Sequence, residues 1–297
     1  MRTSVLKSNA LLFLAAAIWG STFVAQRMGM DTIGPFTYTG VRFTIGTVSL
    51  LPLLLIQGRR KKALPMEMEL RGKSAFWGIC AAGTALFAGI NLQQIGLLTT
   101  TAGNAGFITG LYMVFVPFLG FFVGLRPGRG DLVGAAIALS GLYFLSIAAG
   151  FRITPGDLFV LAGAVGWAVH VLVLARLSPR MNSIHLAMGQ FAFCAIMSLL
   201  IALFFENPTI EGILHESMPL LYGGIMSVGV AFTIQVFAQR HSPPTHTAVI
   251  MSLEAVFAAL SGWLILSEIL TGRQVLGAML MLTGMLVIQL YPVRKSK

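Results

Sequence analysis

Long apolar runs recur from one end of the chain to the other, and short polar or turn-forming segments separate them. A helix needs about 20 mostly apolar residues to cross a bilayer, because each residue advances about 1.5 Å across a hydrocarbon core about 30 Å thick. The segments that meet this requirement lie at residues 9–28, 36–56, 74–98, 102–125, 132–149, 158–175, 184–205, 217–239, 245–267 and 274–291. The pattern therefore predicts an all-α polytopic membrane protein with ten transmembrane helices.

Lysine and arginine residues concentrate in the connections between these segments. With ten spans, both chain termini and the connections after the even-numbered spans lie on the same side of the membrane. That side carries Arg2, Lys7, Arg59, Arg60, Lys61, Lys62, Arg71, Lys73, Arg126, Arg129, Arg176, Arg180, Arg240, Arg294, Lys295 and Lys297. The other side carries only Arg27, Arg152 and Arg273. Because positively charged loops are retained in the cytoplasm, this distribution predicts cytoplasmic N and C termini.

Composition favours a membrane protein over a soluble one. The chain is 56% hydrophobic and only 10% charged, whereas about 25% of the residues of a soluble domain are charged. The net charge of +10 resides in the loops and reflects topology, so we expect no nucleic-acid partner. The predicted partners are the lipid bilayer and a small-molecule substrate. We expect a multi-pass protein of the cell (inner) membrane that is a monomer or a weak dimer.

The two halves of the chain, residues 1–150 and 151–297, resemble each other. An offset of 148 places Trp19 on Trp167, and offsets of 142 and 143 align spans three to five with spans eight to ten. Five spans per half is an odd number, so the second half enters the membrane from the opposite side and the repeat is inverted. Inverted repeats give many secondary transporters two exchangeable conformations, with the substrate site near mid-bilayer between the repeats.

Several short motifs occur in a specific order along the chain. They are Ala17-Ile18-Trp19-Gly20-Ser21 in span one, Val41-Arg42-Phe43 in span two, Leu253-Glu254-Ala255-Val256-Phe257 and Ser267-Glu268 in span nine, and Gly134, Gly141, Gly277 and Gly284 in spans five and ten. In these motifs and in its duplication the chain resembles the drug/metabolite transporter (DMT) superfamily, in particular its ten-helix EamA-type exporters. The resemblance implies two EamA-like repeats and the export of amino acids or similar metabolites.

Arg42 and Glu254 are charged side chains that lie well inside predicted spans. A charge at a helix centre costs about 2.5–3.5 kcal/mol on insertion scales, so each should face the bundle or a wet cavity. Glu254, near the midplane, either accepts a proton or attracts a cation in the transport pathway, or it makes a structural hydrogen bond. For Arg42, nearer the outer face, a structural charge is the preferred interpretation, and contact with a substrate carboxylate is the alternative.

The other candidates are polar and aromatic residues at helical spacing. Amides that faced lipid would be costly, so we expect these faces to point into the bundle. The predicted substrate-binding or cavity residues are Trp19, Thr22, Phe87, Asn91, Gln94, Tyr112, Trp167, His170, Gln235 and Glu254. The alternative for the aromatic residues is ordinary packing, and for the amides and His170 it is hydrogen bonding between helices.

The sequence thus predicts a secondary transporter that exports small metabolites, above all amino acids, through a central cavity by alternating access. Efflux of drugs or lipophilic cations is the main alternative, because Glu254 and aromatic faces attract cations. A passive channel and an intramembrane enzyme are remote alternatives, since the sequence shows neither a charged ring or carbonyl filter nor a catalytic or metal-binding motif. We therefore expect no catalytic residue, no metal site and no cofactor.

Overall fold

The computed structural model describes residues 2–58, 70–100, 102–125, 127–146, 154–266 and 271–290, and every regular element in these ranges is helical. The α-helices are α1 (Arg2–Met28), α2 (Pro35–Ser49), α3 (Leu51–Gly58), α4 (Gly72–Gly96), α5 (Ala102–Gly110), α6 (Tyr112–Phe122), α7 (Arg129–Ser146), α8 (Pro155–Leu177), α9 (Ser183–Phe205), α10 (Ile210–His215), α11 (Ser217–Tyr222), α12 (Thr233–Ala238), α13 (Pro244–Met251), α14 (Glu254–Leu266) and α15 (Gly272–Leu290). A π-helix, Gly223–Phe232, joins α11 to α12. The all-α prediction is confirmed for these residues.

Eight helical stretches of the described chain are long and apolar enough to cross a membrane, by length and composition. They are Val5–Met28, Pro35–Ile56, Gly72–Gly96, Asn104–Phe122, Pro155–Arg180, Ser183–Phe205, Ser217–Ala238 and Gly272–Leu290. The described parts of the fifth and ninth predicted spans, residues 132–146 and 245–266, are mostly helical too. However, α7 begins with the charged residues Arg129 and Asp131, and Ser252 and Leu253 separate α13 from α14. The count of ten spans and the side on which the termini lie stay predictions.

Some features of the sequence fall outside the described residues. They are Ser267-Glu268 of the span-nine motif, the basic cluster at 59–62, Arg152, and the C-terminal residues 291–297.

Helices α7 and α15 pack so closely that their backbones touch at glycines. A Cβ atom placed on Gly141 would lie 2.6 Å from the carbonyl oxygen of Gly277, and one on Gly284 would lie 2.5 Å from that of Gly134. No other residue fits at these four positions without a shift of the helices. Lipid tails are as apolar as leucine, so close packing of small residues is what holds such helices together in a bilayer.

The two halves of the chain make reciprocal contacts. Helix α4 packs along α8, while the π-helix and α12 pack along α1. Helix α1 also packs on α14, and α8 packs on α5 and α6. Two further pairs, α2 with α9 and α7 with α15, join a helix to its predicted repeat partner. Each of these contacts therefore has a counterpart in which the halves exchange roles.

Polar contacts join helices at both ends of the bundle. At the end where α1 begins, His246 Nε2 on α13 lies 2.9 Å from Asp131 Oδ1 on α7. At the opposite end, the Glu206 carboxylate accepts hydrogen bonds from the backbone N–H groups of Phe36 and Thr37, each at 2.8 Å. Glu206 thereby satisfies free N–H groups in the first turn of α2, which would otherwise lack partners.

We predict that Gly141→Ala lowers the melting temperature of the purified protein by several degrees. The added methyl group would collide with backbone atoms of Gly277 and Met281, and overpacking of this kind costs about 1–3 kcal/mol. Gly106→Ala is the matched control, because a Cβ at Gly106 meets no atom within 4 Å. Equal melting temperatures for the two variants would contradict the close α7–α15 contact.

Candidate binding cavity

A narrow buried cavity with a volume of about 30 Å³ lies between helices of both halves of the chain. Its walls come from α1, α2, α4, α5, α6, α8, the π-helix, α13 and α14. The lining residues are Trp19, Thr22, Phe23, Gln26, Arg42, Ile90, Gln93, Thr109, Tyr112, Trp167, Val171, Ser227, Phe232, Met251 and Glu254. All of them are buried. A mostly apolar lining with a few polar groups is typical of small-molecule sites. A cavity of this size holds roughly two water molecules, so a larger solute requires the surrounding helices to move apart.

One wall of the cavity is aromatic. The rings of Trp167 and Phe232 stack with centroids 5.7 Å apart and an angle of 20° between their planes. Trp19 also packs against Phe232, with their ring centroids 4.7 Å apart. The Trp19 indole N–H points to the carbonyl oxygen of Ser227, at 3.4 Å. This wall offers apolar surface to a ligand and has little freedom to rearrange.

A second wall is built around the amide of Gln93. Its Oε1 atom accepts hydrogen bonds from Trp167 Nε1 at 2.9 Å and from Thr109 Oγ1 at 3.3 Å. Its Nε2 atom donates to Gln26 Oε1 at 3.1 Å. The network connects α1, α4, α5 and α8, so Gln93 fixes the positions of four helices around the cavity.

Three other lining residues have buried polar atoms without a hydrogen-bond partner. None of the three guanidinium nitrogens of Arg42 has one, and neither does Glu254 Oε1 or the hydroxyl oxygen of Tyr112. The guanidinium group of Arg42 instead lies 5.3 Å from the ring centroid of Tyr38 and 5.4 Å from that of Phe43. Buried polar atoms are normally hydrogen-bonded, so this cavity holds unused donors and acceptors of both charge signs.

Helix breaks lie directly beside two of these residues. Leu111 separates α5 from α6 immediately before Tyr112, and Ser252 with Leu253 separates α13 from α14 immediately before Glu254. Tyr112 and Glu254 are equivalent positions in the predicted repeat. Both interruptions are short: Leu111 and Ser252 keep helical backbone angles, and Asn104–Phe122 continues as one membrane-length helix.

The structure brings several of the predicted site residues together in this cavity. Trp19, Thr22, Tyr112, Trp167 and Glu254 all line it. Arg42, which we expected to be a structural charge, lines it as well.

The remaining predicted site residues lie outside the cavity lining. Asn91 Nδ2 donates to Ser198 Oγ at 3.0 Å, which links α4 to α9. His170 Nε2 lies 2.9 Å from Gln190 Oε1 and links α8 to α9. These contacts match the alternative interpretation of hydrogen bonding between helices.

Three further predicted residues also lie away from the lining. Gln94 Nε2 donates to the Gln26 carbonyl oxygen at 3.1 Å, and Phe87 packs against the hydrophobic core. Gln235 is buried, and neither of its amide atoms has a partner.

Sequence reasoning missed several lining residues. Gln93 is aligned with Gln235 in the repeat, and that alignment was a usable signal for it. Phe232 and Ser227 belong to the π-helix, whose geometry a period of 3.6 residues does not reveal. Phe23, Ile90 and the other apolar lining residues are indistinguishable by type from those that face lipid.

In the described residues, eight apolar membrane-length helices and a buried, partly polar cavity between helices are typical of a polytopic membrane transporter. Known proteins agree with this class. The model of the EamA-like transporter family matches residues 6–147 and again residues 154–290. An uncharacterized transporter of Archaeoglobus fulgidus is 34% identical over 285 residues, which cover 94% of this chain and 84% of that protein.

More distant relatives have similar descriptions. The uncharacterized transporter YoaV of Bacillus subtilis is 27% identical, with 90% of this chain and 91% of that protein covered. The uncharacterized inner membrane transporter YedA of Escherichia coli is 23% identical, with 73% and 70% covered. A crystal structure at 22% identity superposes with a TM-score of 0.77 over 95% of this chain and 96% of that one. This last likeness shows the fold alone.

The chain belongs to the EamA-like transporter family of the DMT superfamily. It is a multi-pass protein of the cell membrane, as the sequence predicted.

We predict that a cysteine at position 22 reacts with a small, charged methanethiosulfonate reagent, whereas one at position 198 does not. Thr22 and Ser198 are both buried hydroxyl residues, but only Thr22 lines the cavity. In a protein with Cys80 and Cys194 replaced by alanine, Thr22→Cys should be modified at least about ten times faster than Ser198→Cys, because thiol reactivity requires access. Equal rates, measured by mass spectrometry, would contradict the cavity as a solute pathway.

Proposed function

We propose that the protein is a secondary transporter that exports amino acids across the cell (inner) membrane by alternating access through the central cavity. The observation that carries this proposal is the presence of unpartnered buried groups of both charge signs, Arg42 and Glu254, in one cavity beside a helix break. A solute with an acidic and a basic group satisfies both. No catalytic activity is part of this proposal.

The proposed architecture has ten spans in two inverted repeats, residues 1–150 and 151–297, with both termini cytoplasmic. The reciprocal contacts between the halves support it, since a two-fold exchange of repeats requires them. The two successive matches of the family model also support it. The sixteen-to-three distribution of loop charges supports the orientation.

Alternating access requires that each end of the bundle open in turn. Polar contacts occur at both ends, among them Asp131 with His246 at one end and Glu206 with the first turn of α2 at the other. Hydrogen bonds at the membrane surface exchange readily with water, so they are suited to a reversible closure. The broken helices beside Tyr112 and Glu254 support bending at the level of the cavity.

Export of lipophilic cations is the second candidate function. Glu254 and the aromatic wall of Trp19, Trp167 and Phe232 favour it, because both attract cations. Arg42 opposes it, since its guanidinium group lines the same cavity and repels a cation. We therefore place amino acids first.

We predict saturable, trans-stimulated exchange of labelled leucine in proteoliposomes that contain the purified protein. Proteoliposomes loaded with unlabelled leucine should accumulate labelled leucine faster than proteoliposomes loaded with buffer. This is expected because the carrier then returns to the outside with unlabelled leucine bound. Empty liposomes and a labelled lipophilic cation serve as controls. Leucine flux linear in concentration would indicate a channel, and exchange of the cation alone would favour the second candidate function.

We predict that epitope tags at both chain termini resist protease in intact spheroplasts and are cleaved after lysis. A tag inserted after Asn207, in the connection between α9 and α10, should be cleaved in intact spheroplasts. The charge distribution places that connection outside the cell. Opposite exposure of the two termini would contradict the proposed ten-span topology.

A further inference from the structure

The polar lining of the cavity divides into two groups with different chemistry. The amides of Gln26 and Gln93 and the indole N–H groups are hydrogen-bonded to one another or to backbone. Arg42, Tyr112 and Glu254 are buried to the same degree but keep atoms without partners. The first group therefore shapes the cavity, and the second is free to bind a ligand.

The two opposite charges in this second group do not neutralise each other. No guanidinium nitrogen of Arg42 is hydrogen-bonded, and no ion pair within 4.0 Å joins it to Glu254 in the described part of the chain. A buried charge without a partner is costly, and removal of one member of a buried pair is strongly destabilising for that reason. Arg42 and Glu254 line the same cavity, so one ligand with groups of both charge signs can compensate both.

The surroundings of Arg42 hold its side chain in place while its donors stay free. The rings of Tyr38 and Phe43 lie beside the guanidinium group, with their centroids 5.3 and 5.4 Å from its central carbon. Gly223 leaves room for the side chain, because a Cβ there would lie 2.6 Å from Arg42 Cδ. A preorganised guanidinium fork with free N–H groups matches the two oxygens of a carboxylate.

We propose that Arg42 and Glu254 form a two-point site for the head group of an α-amino acid. This inference rests on the proposed function. Arg42 binds the carboxylate, and Glu254 binds the ammonium group, with the Tyr112 hydroxyl as a neighbouring donor or acceptor. The apolar side chain of the ligand lies along the aromatic wall of Trp167 and Phe232.

The site also sets the orientation of the ligand. Arg42 lies seven residues after the start of α2 at Pro35, or about 10 Å of helix from that end of the bundle. Glu254 lies ten residues after Pro244, or about 15 Å from the opposite end. In the proposed topology the carboxylate therefore points toward the outside and the ammonium group toward the cytoplasm.

The selectivity of such a site follows from what a poor ligand leaves unpaired. An amine without a carboxylate leaves Arg42 unpaired, and an acid without an amine leaves Glu254 unpaired. Sites built to hydrogen-bond a substrate group strongly reject an analogue that lacks it. Both half-ligands should therefore bind much more weakly than the amino acid with the same side chain.

The test measures inhibition of leucine counterflow by three ligands that share one side chain: leucine, isoamylamine and 4-methylpentanoate. In the wild-type protein, leucine should inhibit at a concentration at least about tenfold lower than either half-ligand. Glu254→Gln should weaken inhibition by leucine and by isoamylamine while that by 4-methylpentanoate is unchanged or stronger. Arg42→Gln should produce the opposite ranking, with isoamylamine least affected.

Two further variants separate recognition from stability. Glu216→Gln is the matched control, because Glu216 is a buried carboxylate outside the cavity, bonded to Thr32. It should leave the ligand ranking of the wild type intact. If Arg42→Gln does not fold, Arg42→Lys is the second variant, because it keeps the charge but loses the forked guanidinium group. It should weaken inhibition by leucine and leave inhibition by isoamylamine unchanged.

The outcomes distinguish this inference from the proposed function. The two-point site would be overturned if Glu254→Gln and Arg42→Gln weakened inhibition by all three ligands equally. It would also be overturned if leucine and isoamylamine inhibited the wild-type protein equally. In either case the protein would still be an amino-acid exporter. Absence of leucine counterflow in the wild type, with active exchange of a lipophilic cation, would instead overturn the proposed function.

Discussion

A bilayer offers no hydrogen bonds to a polypeptide backbone, and this constraint governs the whole architecture. It explains why every regular element in the described residues is helical. It also explains where helices are allowed to break. The interruptions before Tyr112 and Glu254 lie next to cavity-lining residues, and the π-helix contributes Ser227 and Phe232 to the lining while its other face is exposed. Irregular backbone at this depth survives only against protein or a solute-accessible space, so the breaks and the cavity depend on each other.

Packing in this protein follows from the same solvent. Hydrophobic residues gain nothing by leaving lipid for another helix, so tight fit and polar bonds between helices determine the assembly. The glycine contacts of α7 with α15 represent the first mechanism, and Asn91 with Ser198 and His170 with Gln190 represent the second. These bonds keep the scaffold rigid around a cavity whose own charged groups are left free.

The sequence predicted the helical architecture, and five of the ten predicted site residues line the candidate cavity. Hydropathy located the helices, and the repeat alignment paired Trp19 with Trp167 and Tyr112 with Glu254, all of which line the cavity. The predicted residues and the cavity lining differ most on α4: the cavity uses Ile90 and Gln93, about 100° around the helix from the predicted residues. A helix that is apolar on every side has too weak a periodicity to fix its rotation. Gln235 follows a ten-residue π-helix, which shifts the rotation of everything after it.

The difference between Tyr112 and Glu254 has a consequence for energetics. Two identical repeats would give inward- and outward-facing endpoints of equal free energy, and an empty carrier would populate both equally. Here the first repeat has the phenol of Tyr112 at this position, and the second repeat has the carboxyl group of Glu254. In the proposed exchange, the two endpoints surround the carboxyl group with different neighbours. In the proposed exchange the two endpoints therefore differ in free energy, and the unloaded protein has a preferred resting side.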